Sequence, residues 1–133
     1  MSVRVFDHID LRVRDRARAQ KFYSRILPVL GLERDKSSEE WGSFERENNG
    51  EPVEFFAFDQ DPNHVANQTR IAFWAESHQQ VDRVAEVVRA AGGRNLEGPQ
   101  IWNEYTPGYY AVFFEDPDGN KLEVCCRGRA IGG

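Results

Sequence analysis

Hydrophobic residues at Val3, Val5, Ile9, Leu11 and Val13 fall two apart, broken only at Asp7, and predict a strand with one apolar face over 3–13. His8 then belongs to the opposite face. From Asp15, an N-cap residue, the period changes: Ala19, Phe22, Tyr23, Ile26, Leu27 and Leu30 recur at helical spacing as far as Gly31, with Pro28 bending or ending the last turn. Two short strands follow, near 32–36 and 40–47. Asn48-Asn49-Gly50 is a hairpin turn, and the strand PVEFFAF leads to the polar loop DQDPNHVANQ.

The same order then begins again. TRIAFWA is a strand, Ser77 is an N-cap, Val81, Val84, Ala85 and Val88 mark a helix face, and Gly92-Gly93 stops it. A polar loop to about Pro107 precedes the strand YYAVFFE, the turn Asp116-Pro117-Asp118-Gly119 and the strand NKLEVCC. Ile9, Leu11, Asp15, Phe22, Ile26 and Gly31 each have a counterpart 62 positions later: Ile71, Phe73, Ser77, Val84, Val88 and Gly93. Each half also ends on a glycine turn followed four residues on by a glutamate, Gly50 to Glu54 and Gly119 to Glu123.

These spacings predict an α+β fold of two βαβββ modules related by a pseudo-twofold. The expected boundaries are about 1–60 and 69–127, with a connecting loop at 59–68, all within one domain over 1–133. Curved sheets with helices outside would leave their inner faces to enclose a pocket. Alternation from the hydrophobic positions places His8 and Arg70 at equivalent inward sites. Counting from the glycine turns places Glu54 and Glu123 inward as well. By the same count Phe56, Phe58 and Trp74 face inward, while Trp102, Tyr105 and Tyr109 lie in or beside the loop over the pocket mouth.

Composition narrows the field of partners. The chain has 133 residues, a net charge of −5 and scattered basic residues, which argues against nucleic acid and favours neutral or cationic small molecules. No long apolar run suggests a membrane span, and the charged start MSVRVFDHIDLRV offers no secretory core, so a cytoplasmic location is expected. Cys125 and Cys126 are the two cysteines; as strand neighbours they point to opposite faces and are expected as free thiols.

The stretches FDHIDLRV, KFYSRILPVLGLE, RIAFWAESHQQVDRVAEVVRAAGG and YYAVFFEDPDGNKLEVCC together resemble the vicinal oxygen chelate superfamily, which includes glyoxalase I, bleomycin- and fosfomycin-resistance proteins and extradiol dioxygenases. The resemblance spans essentially the whole chain and implies a homodimer. In metal-dependent members the ligands come from the first and last strands of each module, which here implies His8, Glu54, residue 70 and Glu123. Three are suitable donors. The fourth is Arg70, which stays protonated and has no lone pair for a cation. Where relatives often have PHYHPNYYA, this chain has NEYTPGYYA, so Glu104 and Thr106 stand in place of two further histidines.

Two functions therefore compete. One is a small-molecule protein without the four-ligand metal site, in which Arg70, paired with Glu54, Glu123 or both, and His8 recognise a ligand alongside Trp74, Phe56, Trp102, Tyr105 and Tyr109. The other is a lyase, isomerase or oxygenase of the glyoxalase-like type, with a divalent Zn, Ni, Mn or Fe on His8, Glu54 and Glu123 and either glutamate moving a proton.

Overall fold

The computed structural model describes residues 4–127. The chain divides into two compact units between His64 and Val65.

In the first unit, β1 (His8–Val13) is followed by α1 (Arg16–Ile26) and a 3-10 turn over Leu27–Leu30. Next come β2 (Arg34–Asp35), β3 (Trp41–Asn48) and β4 (Glu51–Gln60). Val3, the expected start of the first strand, lies outside the described residues; within them the strand begins only at His8. Asp15 caps α1 by accepting the Arg18 amide at 3.0 Å. Pro28 sits where the helix tightens, and Gly31 ends it at φ 99°, a left-handed geometry that a Cβ would penalise. Asn49 and Gly50, both at positive φ, close the β3–β4 hairpin. The sheet order is β1-β4-β3-β2, with β1 and β4 parallel and the other pairs antiparallel.

Apolar α1 residues Ala19, Phe22, Tyr23 and Ile26 are all buried. The Tyr23 ring meets Phe56 at 5.3 Å and Phe58 at 5.0 Å. Phe56 and Phe58 are 1% and 0% exposed, so each contributes about 1.5–3 kcal/mol of apolar burial to the helix–sheet core. This corrects the expectation that Phe56 and Phe58 face a ligand: they are on the helix side of the sheet.

The second unit repeats the plan as β5 (Arg70–Trp74), α2 (His78–Ala91), β6 (Arg94–Ile101), β7 (Tyr110–Glu115) and β8 (Lys121–Cys126). Ser77 caps α2 by accepting the Gln80 amide at 3.1 Å. The left-handed residue that ends it is Gly92, one position before the expected match to Gly31. Its sheet order is β5-β8-β7-β6, again with the first pair parallel. Each unit is thus βαβββ. The polar loop expected up to Pro107 instead contains β6. That edge strand carries Asn95, Gly98 and Pro99, and its register against β7 slips twice, which hides the alternation that marks a strand.

Candidate functional site

Register decides which side chains share a sheet face. In the first unit His8 pairs with Phe55, Asp10 with Ala57 and Arg12 with Asp59. Across the antiparallel side, Trp41 pairs with Asp59, Ser43 with Ala57 and Glu45 with Phe55. All of these occupy the face away from α1. All but Arg12, together with Lys36, line an open concavity of about 430 Å³, within the size range of small-molecule sites. Its floor is the small cross-strand pair Ser43 and Ala57. On one side the His8 imidazole lies parallel to the Phe55 ring, 4.3 Å between centroids and 5° between planes. His8 Nδ1 is 2.8 Å from Asp7 Oδ1.

Glu54 is not on this face. Because its neighbour Phe55 pairs with His8, Glu54 shares the opposite face with Phe56 and Phe58, where its carboxylate accepts the Arg46 Nε–H at 2.6 Å. The expectation that Glu54 joins His8 is therefore overturned. Its basis was the distance from the glycine turn, but the first hairpin is longer than the second. His8 and Arg70 correspond, so their partners Phe55 and Lys121 correspond, and the true counterpart of Glu123 is Ala57.

In the second unit Arg70, Ala72 and Trp74 share a face with Lys121, Glu123 and Cys125, and with Ala111, Phe113 and Glu115 of β7. Glu123 is buried there, 5% exposed, and its carboxylate accepts a hydrogen bond from the Tyr109 hydroxyl. Burial and the adjoining Cys125 and Glu123 side chains push the Tyr109 phenol far above its ordinary range. Burial also pushes the Cys125 thiol up, with the Glu123 carboxylate adding to it. Tyr109, Ala111 and Cys125 form a small core on this face, against which Trp102 and Phe113 pack. Trp102 meets Phe113 edge-on at 4.8 Å, and Tyr105, more than half exposed, meets Tyr109 at 5.2 Å.

The Arg70 guanidinium lies 4.8 Å above the Phe113 ring. Among the described residues it makes this ring contact and no ion pair, so the expected salt bridge to Glu123 is not formed. Trp74, two positions beyond Ala72 on the same face, is 64% exposed. Of the expected site residues, the second unit thus brings together Arg70, Trp74, Trp102, Tyr105, Tyr109 and Glu123. Tyr109 holds the carboxylate instead of standing over an opening. Both cysteines are free, and Cys126 lies on the helix side with Leu122 and Val124. Among the described residues no group of three or more His, Cys, Asp or Glu side chains is arranged to hold a metal ion. None of the described helices is long and apolar enough to cross a membrane.

The acidic concavity beside His8 was missed by sequence reasoning. Pairing β4 to β1, in place of counting from Gly50, would have brought Phe55, Ala57 and Asp59 to the open face.

A repeated βαβββ unit with a parallel first pair defines the vicinal oxygen chelate class of folds. The sequence pattern of the Glyoxalase/Bleomycin resistance protein/Dioxygenase superfamily matches residues 5–124, and the chain belongs to that superfamily. It is 32% identical over 124 residues to the uncharacterized protein YqjT of Bacillus subtilis, covering 88% of this chain and 94% of that protein. Among solved structures it resembles a glyoxalase/bleomycin resistance protein from Albidiferax ferrireducens, with TM-score 0.77 and 24% identity over 92% of this chain and 98% of that one. It also resembles the fosfomycin resistance protein FosX of Listeria monocytogenes, with TM-score 0.68 and 17% identity over 96% of each. At these identities the structural likeness carries the fold alone.

Proposed function

We propose that this chain is a small-molecule-binding member of its superfamily that works without the four-ligand metal site. The observation that carries this is the pair of groups at two of the implied ligand positions. Arg70 is a permanent cation resting on Phe113, and Glu123 is a buried carboxylate already engaged by the Tyr109 hydroxyl. A divalent ion would meet a like charge at the first and have to displace a hydrogen bond at the second. Glu54, turned to the other face and tied to Arg46, weakens the donor set further.

What remains suits recognition of an organic ligand: an open concavity beside His8, and Arg70 with Trp74 on one exposed strand face. Each sheet, taken alone, ends in an unpaired edge strand, which supports assembly as a homodimer.

Elemental analysis of protein purified without chelators tests the metal-free reading. Less than about one tenth of an equivalent of Zn, Ni, Mn or Fe is expected after dialysis, as weak sites lose their ions. A full equivalent retained through dialysis, and lost in His8→Ala or Glu123→Gln, would overturn it. Light scattering at micromolar concentration tests the dimer, and a monomer there removes that part.

A further inference from the structure

We infer that the concavity on the His8 face of the first unit takes a flat organic monocation, such as an aromatic amidinium or amine. This rests on the small-molecule reading and names the ligand class for one of its two faces.

The argument starts from charge that the fold leaves unmatched. Three carboxylates line the concavity, Asp10, Glu45 and Asp59, against one ammonium, Lys36. Asp10 is matched by Arg12 at 2.8 Å. Glu45 and Asp59 form no ion pair among the described residues, although both are half-buried, where an unmatched carboxylate loses part of its hydration; Arg34, which stands opposite Glu45 on β2, directs its guanidinium to Glu47 at 2.8 Å.

The second unit shows what a matched version of the same position looks like. Glu45 stands opposite Phe55, and its counterpart Glu115 stands opposite Lys121. Glu115 accepts the Lys121 ammonium at 3.2 Å. On that neighbouring strand the second unit supplies an internal cation and the first an aromatic ring, while Arg34 on the other side of Glu45 is taken up by Glu47. A ligand's positive group could therefore occupy the place that Lys121 fills in the repeat.

Shape points the same way. The small Ser43–Ala57 pair leaves a low stretch of sheet face, flanked by the stacked His8 and Phe55 rings and by Trp41, which is 46% exposed. Ring faces attract cations through their quadrupole and stack on flat apolar groups. A planar cation satisfies the carboxylates and the rings together. A planar anion meets both Glu45 and Asp59, and a neutral ring leaves them as they were.

Benzamidine, benzamide and benzoate share one shape and carry charges of plus one, zero and minus one, so they isolate the charge. Each is titrated into the isotope-labelled full chain while amide resonances are followed. Benzamidine should shift the Ser43, Phe55 and Ala57 amides and bind about tenfold tighter than benzamide, with benzoate silent at those positions. Glu45→Gln should remove most of that preference, and Asp59→Asn provides a second variant should the first fail to fold. Glu115→Gln, at the matched counterpart, should leave it intact.

The inference is overturned if benzoate binds at those amides as well as benzamidine does, if both variants leave benzamidine binding unchanged, or if no probe shifts them. Shifts confined to Arg70, Ala72 and Trp74 with benzoate would sink the cation inference and keep the small-molecule reading. Absence of shifts in either unit would remove both.

Discussion

The two sheet faces opposite the helices are built on the same register yet have opposite character. At the centre of the first stands the pair Ser43 and Ala57; at the corresponding centre of the second stand Phe113 and Glu123. The small pair leaves an open concavity of about 430 Å³. The large pair fills its face, with Phe113 packed by Trp102 and Glu123 held by Tyr109. Flanking positions diverge likewise: Asp10 corresponds to Ala72, and Asp59 to Cys125. A repeated unit can therefore keep its helix-side core while one face opens toward solvent and the other closes over a buried carboxylate. Helix-side residues are constrained by packing in both copies, whereas the other face is free to specialise.

The largest expected effect tests which side of the first sheet is core. Phe56→Ala should destabilise the protein by about 3–5 kcal/mol, because the ring is 1% exposed against Tyr23 and its removal leaves a cavity. Denaturant titration measures this. Were Phe56 on the open face, as counting from the turn suggested, the loss would stay below about 0.5 kcal/mol.

That contrast marks where the sequence was legible. Both helices, their caps at Asp15 and Ser77, and the placement of His8 and Arg70 on the sheet faces away from the helices followed from apolar period and capping chemistry, which are local. Glu54 and Phe56 went wrong because their face depends on register between strands far apart in sequence. A hairpin can lengthen by an odd number of residues without disturbing its glycine turn, and an odd change flips every side chain. Strand β6 was hidden for a related reason: its bulged register needs no clean alternation. Tyr109 was placed near the site, but its bond to Glu123 is a tertiary fact that no spacing encodes.

Next in size is the closed face itself. Tyr109→Phe leaves the 5%-exposed Glu123 carboxylate without that donor, and should cost about 1–3 kcal/mol at pH 7. It also predicts an asymmetry with pH. Burial raises Tyr109 above its ordinary 10.0 and raises Tyr110, bonded to Asp82 at 2.5 Å, to about 12. Burial likewise raises Cys125 and Cys126 above 9.0. Each folded group keeps a proton that the unfolded chain releases, so its contribution is whole below the unfolded value and falls as pH climbs toward the folded one. Stability should therefore decline from about pH 9 upward, and Tyr109→Phe should flatten the decline above pH 10. Equal slopes in variant and wild type would show that the phenol is not shielded.

A smaller effect sharpens the difference between the open and closed centres. Ser43→Phe puts into the first unit the residue found at the matching place in the second, Phe113. Benzamidine affinity should fall by at least about tenfold, near 1.4 kcal/mol, as the ring takes the space over Ala57. Calorimetry measures it, and undiminished affinity would mean that the small central pair is not what opens the face.

The smallest effect belongs to Glu54, which the turn count misplaced, and its partner Arg46. Arg46 and Glu54 are joined at 2.6 Å, but their side chains are 42% and 46% exposed, so water and salt screen most of the attraction. A double-mutant cycle of Arg46→Ala and Glu54→Ala should return a coupling of about 0–1 kcal/mol, shrinking further in 0.5 M salt. Neither variant should alter the benzamidine response at Ser43 or Ala57, because the pair sits across the sheet from the concavity. If Glu54→Ala abolished that response while leaving stability unchanged, Glu54 would have to face the same side as His8, and the β1–β4 register that assigns the two faces would be wrong by one residue.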